Sequence, residues 1–163
     1  MLDDEELDPA SAADMPLVLV VDDDPTPRAA VCRMVRGLGY RAKSLESARH
    51  ALQYLDAHRG SVRLLLADVG MPGMDGAELA ERAKDLDPRL QIALLAGADG
   101  ETGELLAGYR DLPVLAKPVG FGDLYGFLRE KLGPPSLTPA PPMPPAVSGR
   151  ARSTRRTSGR HEV

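Results

Sequence analysis

Five short apolar runs recur along the middle of the chain, at residues 17–21, 40–45, 62–67, 90–96 and 112–116. Most of them consist of Leu, Val, Ile and Ala, without the strict alternation of a strand that has one solvated face. Continuous runs of this length are typical of strands that are buried on both faces. The pattern therefore predicts five strands in the interior of one domain, of which the run at 40–45 is the weakest.

A stripe of apolar residues at helical spacing follows each run. In the first stripe, Val31, Met34, Val35 and Leu38 recur three or four residues apart or nearly so. Strands that alternate with helices form an open α/β sheet with right-handed crossovers, and five such units favour the strand order 2-1-3-4-5. The sequence therefore predicts a flavodoxin-like, doubly wound (βα)5 fold with a parallel sheet. The other stripes begin at Ala48, Leu79, Leu105 and Phe121.

Two flanks of different composition enclose this pattern. Residues 1–15 carry six acidic side chains and no basic one, which predicts a disordered acidic arm. Seven of the twelve residues from 134 to 145 are proline, which is typical of an extended linker, and residues 146–163 form a basic, disordered tail with five arginines. We therefore expect one folded domain at 16–133, to whose stability residues 134–163 contribute nothing.

Composition narrows the classes of function. Aromatic residues make up 4% of the 163 residues and Trp is absent, so a nucleic-acid partner that stacks its bases is not expected. A single cysteine, Cys32, excludes an internal disulfide, and three scattered histidines do not complete a zinc site with it. No apolar run approaches the length of a membrane span, and the acidic start is the reverse of a secretory signal. We expect a cytoplasmic protein that does not bind a membrane.

Acidic residues follow the first and third strands, where a sheet of this order places a ligand site. Asp22, Asp23 and Asp24 follow the first strand, and Asp68 follows the third, while neither glycine-rich phosphate-binding motif occurs in the chain. Carboxylates that converge from two strand ends repel each other unless a cation lies between them, and oxygen ligands suit Mg²⁺. We therefore predict a Mg²⁺ site with Asp23 and Asp68 as direct ligands.

Lys117 adds a positive charge to the same edge of the predicted sheet. It ends the fifth strand and precedes Pro118. An ammonium beside a metal and a free carboxylate is suited to bind a phosphoryl oxygen. Asp68, Lys117 and a metal together indicate a site at which an aspartyl phosphate forms and breaks.

Three motifs in residues 16–133 resemble the receiver domain of two-component response regulators. They are Val-Val-Asp-Asp at 20–23, Asp-x-x-Met-Pro-x-Met-Asp-Gly at 68–76 and Lys-Pro at 117–118. The resemblance implies a signalling phosphoacceptor, whose only chemistry is its own phosphorylation and dephosphorylation, and not an enzyme. It also implies that the phosphoryl donor is a histidine kinase or a histidine phosphotransfer protein.

The same resemblance assigns a role to each residue of the site. It implies that Asp68 is the phosphoacceptor and that Lys117 pairs with the phosphoryl group. Asp22 and Asp23 would hold Mg²⁺ together with the backbone carbonyl of Gly70. The peptide bond before Pro118 would be cis.

Two positions depart from the family pattern. Receivers carry Ser or Thr at the end of the fourth strand, where this chain has Ala96, and often an aromatic residue three positions before the lysine, where it has Val114. The hydroxyl and the ring report phosphorylation in the family, so we expect atypical switching in this chain. The function we expect is that of a single-domain regulator or a phosphorelay carrier. Whether the receiver stands alone or belongs to a hybrid kinase stays open. A downstream protein would bind the face formed by the fourth helix, fifth strand and fifth helix.

A second interpretation belongs to another class of protein. Asp22-x-Asp24-x-Thr26 after an apolar strand also matches the motif of haloacid-dehalogenase-type phosphatases, with Asp22 as nucleophile and Asp24 as acid/base. Those enzymes need a later acidic pair for Mg²⁺, and after Lys117 the domain offers only Asp123 and Glu130. This interpretation leaves the loop after Asp68 unexplained.

Overall fold

A five-stranded parallel sheet forms the centre of the computed structural model, which describes residues 15–97, 107, 109 and 111–135. The strands lie in the order 2-1-3-4-5, and each neighbouring pair is parallel. This order confirms the predicted flavodoxin-like fold. The strands are β1 (Leu17–Val21), β2 (Arg41–Leu45), β3 (Val62–Asp68), β4 (Gln91–Ala96) and β5 (Val114–Ala116).

Helices cover both faces of the sheet. Within the described ranges, two of them pack on one face and two on the other. None of these helices is long and apolar enough to cross a membrane. The helix predicted around Leu105 and Leu106 lies outside the described residues. The four helices are α1 (Pro25–Gly37), α2 (Ala48–Ala57), α3 (Gly76–Leu86) and α4 (Phe121–Leu132).

The central strands are apolar except at their ends because both of their faces are buried; the polar exceptions are Arg63 and Asp68 in β3 and Gln91 in β4. Successive side chains of a strand point to opposite faces, so Leu19 of β1 packs towards α2 and α3 while Val18 and Val20 pack towards α1 and α4. Complete burial of one such side chain stabilises the fold by about 1.5–3 kcal/mol. The edge strand β2 has no fully buried residue, which explains why its run is weaker in the sequence.

Side-chain caps fix the start of two helices beside the carboxyl edge of the sheet. Asp24 Oδ1 accepts a hydrogen bond from the Thr26 N–H at 3.1 Å at the start of α1. Asp75 Oδ1 accepts one from the Glu78 N–H at 2.8 Å at the start of α3. Each bond satisfies an N–H group that has no partner inside the helix. The loops that follow β1 and β3 are therefore held at both of their ends.

The end of α4 is fastened to the loop between α1 and β2. The buried Tyr40 donates a hydrogen bond from its hydroxyl to the Gly133 carbonyl at 2.6 Å. Gly39 has a φ of +91°, and a Cβ at this position would lie 2.9 Å from Pro135 Cβ. Pro135 of the predicted linker thus lies against the domain. The predicted acidic arm up to residue 14, and residues 136–163 of the linker and tail, lie outside the described residues.

Candidate functional site

Three carboxylates and one ammonium converge at the carboxyl edge of the sheet. Asp22 and Asp23 directly follow β1, Asp68 ends β3 and Lys117 directly follows β5. Each of the three carboxylates offers an oxygen, and these oxygens all lie within 4.8 Å of one another. The fold therefore brings together the four charged side chains that the sequence singled out.

Asp22 is fixed in place and closed off from solvent. Asp22 is 0% exposed, and its Oδ1 accepts a hydrogen bond from the Asp24 N–H at 3.0 Å. Its backbone carbonyl accepts another from Arg28 Nη1 at 2.8 Å. Lys117 Nζ lies 2.9 Å from Asp22 Oδ2, but this ionic contact lacks hydrogen-bond geometry, so Oδ2 is buried without a hydrogen-bond donor. Contacts to both its side chain and its backbone therefore hold Asp22 in place.

Asp68 is the more accessible of the two buried acids. Its side chain keeps 11% of its surface exposed, against 1% for Asp22. Its Oδ1 lies 3.0 Å from Lys117 Nζ and 3.4 Å from the Gly70 nitrogen, which donates a hydrogen bond to it. The other oxygen, Oδ2, has no hydrogen bond or ion pair with any described residue. The protein thus holds one oxygen of Asp68 in place, and the other oxygen is free to react.

Burial and charge change the proton affinities of the pair. Burial raises the pKa of Asp68; the Lys117 ammonium opposes this rise and the Asp22 carboxylate adds to it. Burial by itself lowers the pKa of Lys117, but the two carboxylates outweigh burial and hold that pKa above its ordinary value. Lys117 therefore stays protonated at neutral pH and remains a fixed positive charge between Asp22 and Asp68.

The donor set fits a hard divalent cation. One ammonium faces three carboxylates, so the cluster has more negative than positive charge, and Asp22 Oδ2 is a buried anionic oxygen without a hydrogen bond. Carboxylate oxygens with access for water are what Mg²⁺ requires, and the exposed Asp23 provides that access. Gly70, whose carbonyl was the fourth predicted ligand, is exposed in the loop two residues after Asp68.

A close backbone approach positions the loop of Asp68, and the sequence interpretation did not single it out. A Cβ on Gly76, the first residue of α3, would lie 2.3 Å from the Asp68 carbonyl oxygen and 2.8 Å from its carbonyl carbon. Both contacts are with backbone, so no side-chain rotation relieves them. Only glycine lets α3 begin this close to the end of β3. The Met-Asp-Gly end of the motif at 68–76 was the signal for this contact.

The two positions predicted to switch atypically lie on adjacent strands. Ala96 ends β4 and is 5% exposed, and its carbonyl accepts a hydrogen bond from the Lys117 N–H at 2.8 Å. Val114 begins β5 and is 42% exposed. Neither side chain has a polar group that could bond to a phosphoryl oxygen. The Lys117–Pro118 peptide bond is cis, as the resemblance implied.

Comparison with known proteins assigns the chain to a family. A family profile described as the response regulator receiver domain matches residues 18–128. The receiver protein CpdR of Brucella abortus is 33% identical over 119 residues, which are 72% of this chain and 98% of CpdR. The two-component response regulator ARR11 of Arabidopsis thaliana is 33% identical over 109 residues, 66% of this chain. The match spans only about a fifth of ARR11, at 20% of its length.

Solved structures agree with this assignment. A CheY-like receiver domain protein from Methanospirillum hungatei superposes with a TM-score of 0.62 and 26% identity, over 72% of this chain and 93% of that one. The fold and the acidic site define a signalling phosphoacceptor domain. The chain belongs to the response regulator receiver domain family and is the receiver domain of a two-component response regulator. Receiver domains bind Mg²⁺ at an acidic pocket and interact with histidine kinases or phosphotransfer proteins.

Proposed function

We propose that Asp68 accepts a phosphoryl group from a phosphohistidine of a histidine kinase or histidine phosphotransfer protein. The observation that carries this proposal is the state of the Asp68 carboxylate: Lys117 Nζ lies 3.0 Å from Oδ1, while Oδ2 has no bond to a described residue and the side chain is 11% exposed. An oriented carboxylate with one free oxygen is what an in-line attack on phosphorus requires.

The transfer exchanges one bond to phosphorus for another. A lone pair of the free Asp68 oxygen forms the P–O bond as the P–N bond to the donor imidazole breaks, and the imidazole keeps that electron pair. Negative charge develops on the phosphoryl oxygens, and the Lys117 ammonium is held beside them by Asp22, 2.9 Å away. Asp22 thus positions Lys117 even when the phosphoryl group competes for it.

The same cluster of carboxylates fits Mg²⁺ as a cofactor. Asp22, Asp23 and Asp68 would hold it, with the Gly70 carbonyl as the further ligand that the resemblance implies. When bound, the ion would offset the repulsion between the carboxylates and the incoming phosphoryl oxygens. Asp23, the exposed member of the three, keeps one side of the site open to water and substrate.

The geometry also argues against Asp22 as a nucleophile. Asp22 is 0% exposed, its Oδ1 is bonded to the Asp24 N–H, and its Oδ2 faces Lys117. Asp24, which would be the acid/base of a haloacid-dehalogenase-type phosphatase, instead caps α1. Nothing in the family comparison points to such a phosphatase.

In its pathway, the receiver acts in the cytoplasm as a single-domain regulator or phosphorelay carrier. The match covers 98% of the length of the receiver protein CpdR. Ala96 and Val114 support weak coupling between phosphorylation and the strand surface, so that a partner protein gates the output. That partner would bind the face of the fourth predicted helix, β5 and α4.

Phosphotransfer from a histidine-phosphorylated donor tests this function. The wild type and Asp24→Asn should both take up a base-labile phosphoryl label in the presence of Mg²⁺. Asp24→Asn should behave like the wild type because Asn keeps the helix cap. Asp68→Asn should take up none, because an amide does not act as the nucleophile. Labelling of Asp68→Asn at the wild-type rate would overturn the assignment.

A further inference from the structure

A basic cleft lies at the end of the sheet opposite Asp68. It is formed where β3 begins and α3 ends, and its volume is about 570 Å³. Three arginines and only one acid contribute to its walls. The residues that matter here are Arg59, Val62, Arg63, Leu86, Asp87 and Arg89.

Two of these arginines have no anionic partner among the described residues. Arg59 pairs with Asp56 through its Nε at 3.0 Å, but no ion pair or hydrogen bond engages the guanidinium of Arg63 or of Arg89. Asp87 accepts a hydrogen bond from the backbone N–H of Arg89 at 3.0 Å and is the one acid in the wall. The cleft therefore carries excess positive charge in a recess, where a bound anion is screened less than on an open surface.

An irregularity of the sheet presents Arg63 to this cleft. Leu17 of β1 pairs with Val62, but the next residue, Val18, pairs with Leu64, so the register skips Arg63. Arg63 is also the single exposed residue of β3, whose other residues are all buried. Bulges of this kind re-aim a side chain at the cost of regular pairing. Arg63 is thus directed out of a strand that otherwise forms core.

The described residues that follow the acidic segment lie beside the cleft. Pairing of Leu17 with Val62 places the start of β1 next to a residue of the cleft wall, and the Arg41 N–H fixes the Pro16 carbonyl at 3.2 Å. The preceding residues carry six carboxylates and no basic side chain. Fourteen residues span at most roughly 45–50 Å when extended, so every one of these carboxylates is within reach of the cleft.

We propose that the acidic segment 3–14 of this chain binds the cleft through ion pairs with Arg63 and Arg89. Single exposed ion pairs are weak, but several carboxylates tethered beside two guanidinium groups act at high effective concentration. The interaction is independent of the proposed phosphoryl transfer, because the cleft lies at the other end of the sheet.

Paramagnetic broadening of amide signals tests this contact in the full chain. A spin label on Leu7→Cys is selective because the native Cys32 is buried and burial raises the pKa of its thiol. We expect broadening at Gly60, Arg63 and Arg89, and at least a twofold loss of that broadening in 1 M salt, where the Debye length is about 3 Å.

Paired variants make the result decisive. Arg63→Gln/Arg89→Gln should abolish the local broadening, whereas Arg33→Gln/Arg49→Gln, which removes two exposed arginines of α1 and α2, should preserve it. Replacement of the acids at 3–6 by their amides should have the same effect as the first variant. The proposal is overturned by broadening elsewhere, by equal broadening in Arg63→Gln/Arg89→Gln, or by broadening in a mixture of isotope-labelled native chain with unlabelled spin-labelled chain, which would show binding between copies.

Discussion

Asp23 is the one carboxylate of the site that is exposed, and its role is therefore the easiest to isolate. Asp23→Asn removes a charge that faces the other two acids and should leave the buried Asp22 and Asp68 in place. We expect the Kd for Mg²⁺, measured by calorimetric titration, to rise by at least about tenfold, since even outer-shell changes cost 10–100-fold.

Asp24→Asn is the matched control for this measurement. It makes the same Asp-to-Asn substitution at the next residue, which lies outside the group of converging carboxylate oxygens. The helix cap is preserved because Asn caps a helix as well as Asp does. Its affinity for Mg²⁺ should stay within about twofold of the wild type. Equal binding by the wild type and Asp23→Asn would contradict the assigned ligand set.

The charged residues of the site were predictable because position along a strand is a strong constraint. Once β1, β3 and β5 are recognised, their last residues must share one edge of the sheet, which brings Asp22, Asp68 and Lys117 together. The difference in exposure between the two buried acids was not predictable. It depends on tertiary neighbours such as Arg28, whose guanidinium fixes the Asp22 carbonyl.

At the scale of elements, the start of α3 is where packing is tightest near the site. A Cβ on Gly76 would lie 2.3 Å from the Asp68 carbonyl oxygen, so Gly76→Ala must move the loop or the helix. We expect a loss of about 1–3 kcal/mol in the free energy of unfolding by urea, the usual cost of overpacking, together with slower phosphorylation of Asp68.

Gly122→Ala in α4 is the control because the same substitution there meets no atom within 4 Å. Alanine favours a helix over glycine by about 0.5–1 kcal/mol, so this variant should be slightly more stable than the wild type. A Gly76→Ala protein as stable as Gly122→Ala would show that the close approach is not needed.

The coupling between β4 and β5 carries the prediction of atypical switching. A hydroxyl bonded to a phosphoryl oxygen contributes about 1.5–3 kcal/mol, enough to bias two states about tenfold or more, and Ala96 provides no such bond. With a phosphoryl mimic bound, amide shifts through residues 111–116 should be smaller in the wild type than in Ala96→Thr. Wild-type shifts as large as those of the variant would contradict the prediction.

Element types followed from the apolar pattern, but irregularities within elements did not. The buried strands β1, β3 and β4 were recognisable because two-sided burial demands continuous apolar residues. The register shift at Arg63 depends on which residue of β1 pairs with it, and periodicity within one strand contains no information about its neighbour.

At the scale of the whole molecule, Pro135 is the last described residue after α4, and it lies against the domain at Gly39. Truncation after Pro135 keeps the Tyr40–Gly133 hydrogen bond and should change the Tm by no more than about 2 °C. Tyr40→Phe, which removes the donor, should lower the Tm by several degrees in both the full and the truncated chain, at about 0.5–1.5 kcal/mol for the lost bond. A large loss on truncation would show that residues 136–163 stabilise the domain.

Chemical trapping of the phosphorylated residue shows whether the free oxygen of Asp68 is the phosphoacceptor. Borohydride reduces an aspartyl phosphate to homoserine, so peptide mapping by mass spectrometry reads the modified position. After phosphorylation with Mg²⁺, we expect homoserine at position 68 and unmodified aspartate at position 22. Homoserine at position 22 would rule out Asp68 as the acceptor and would favour a phosphatase whose nucleophile is Asp22.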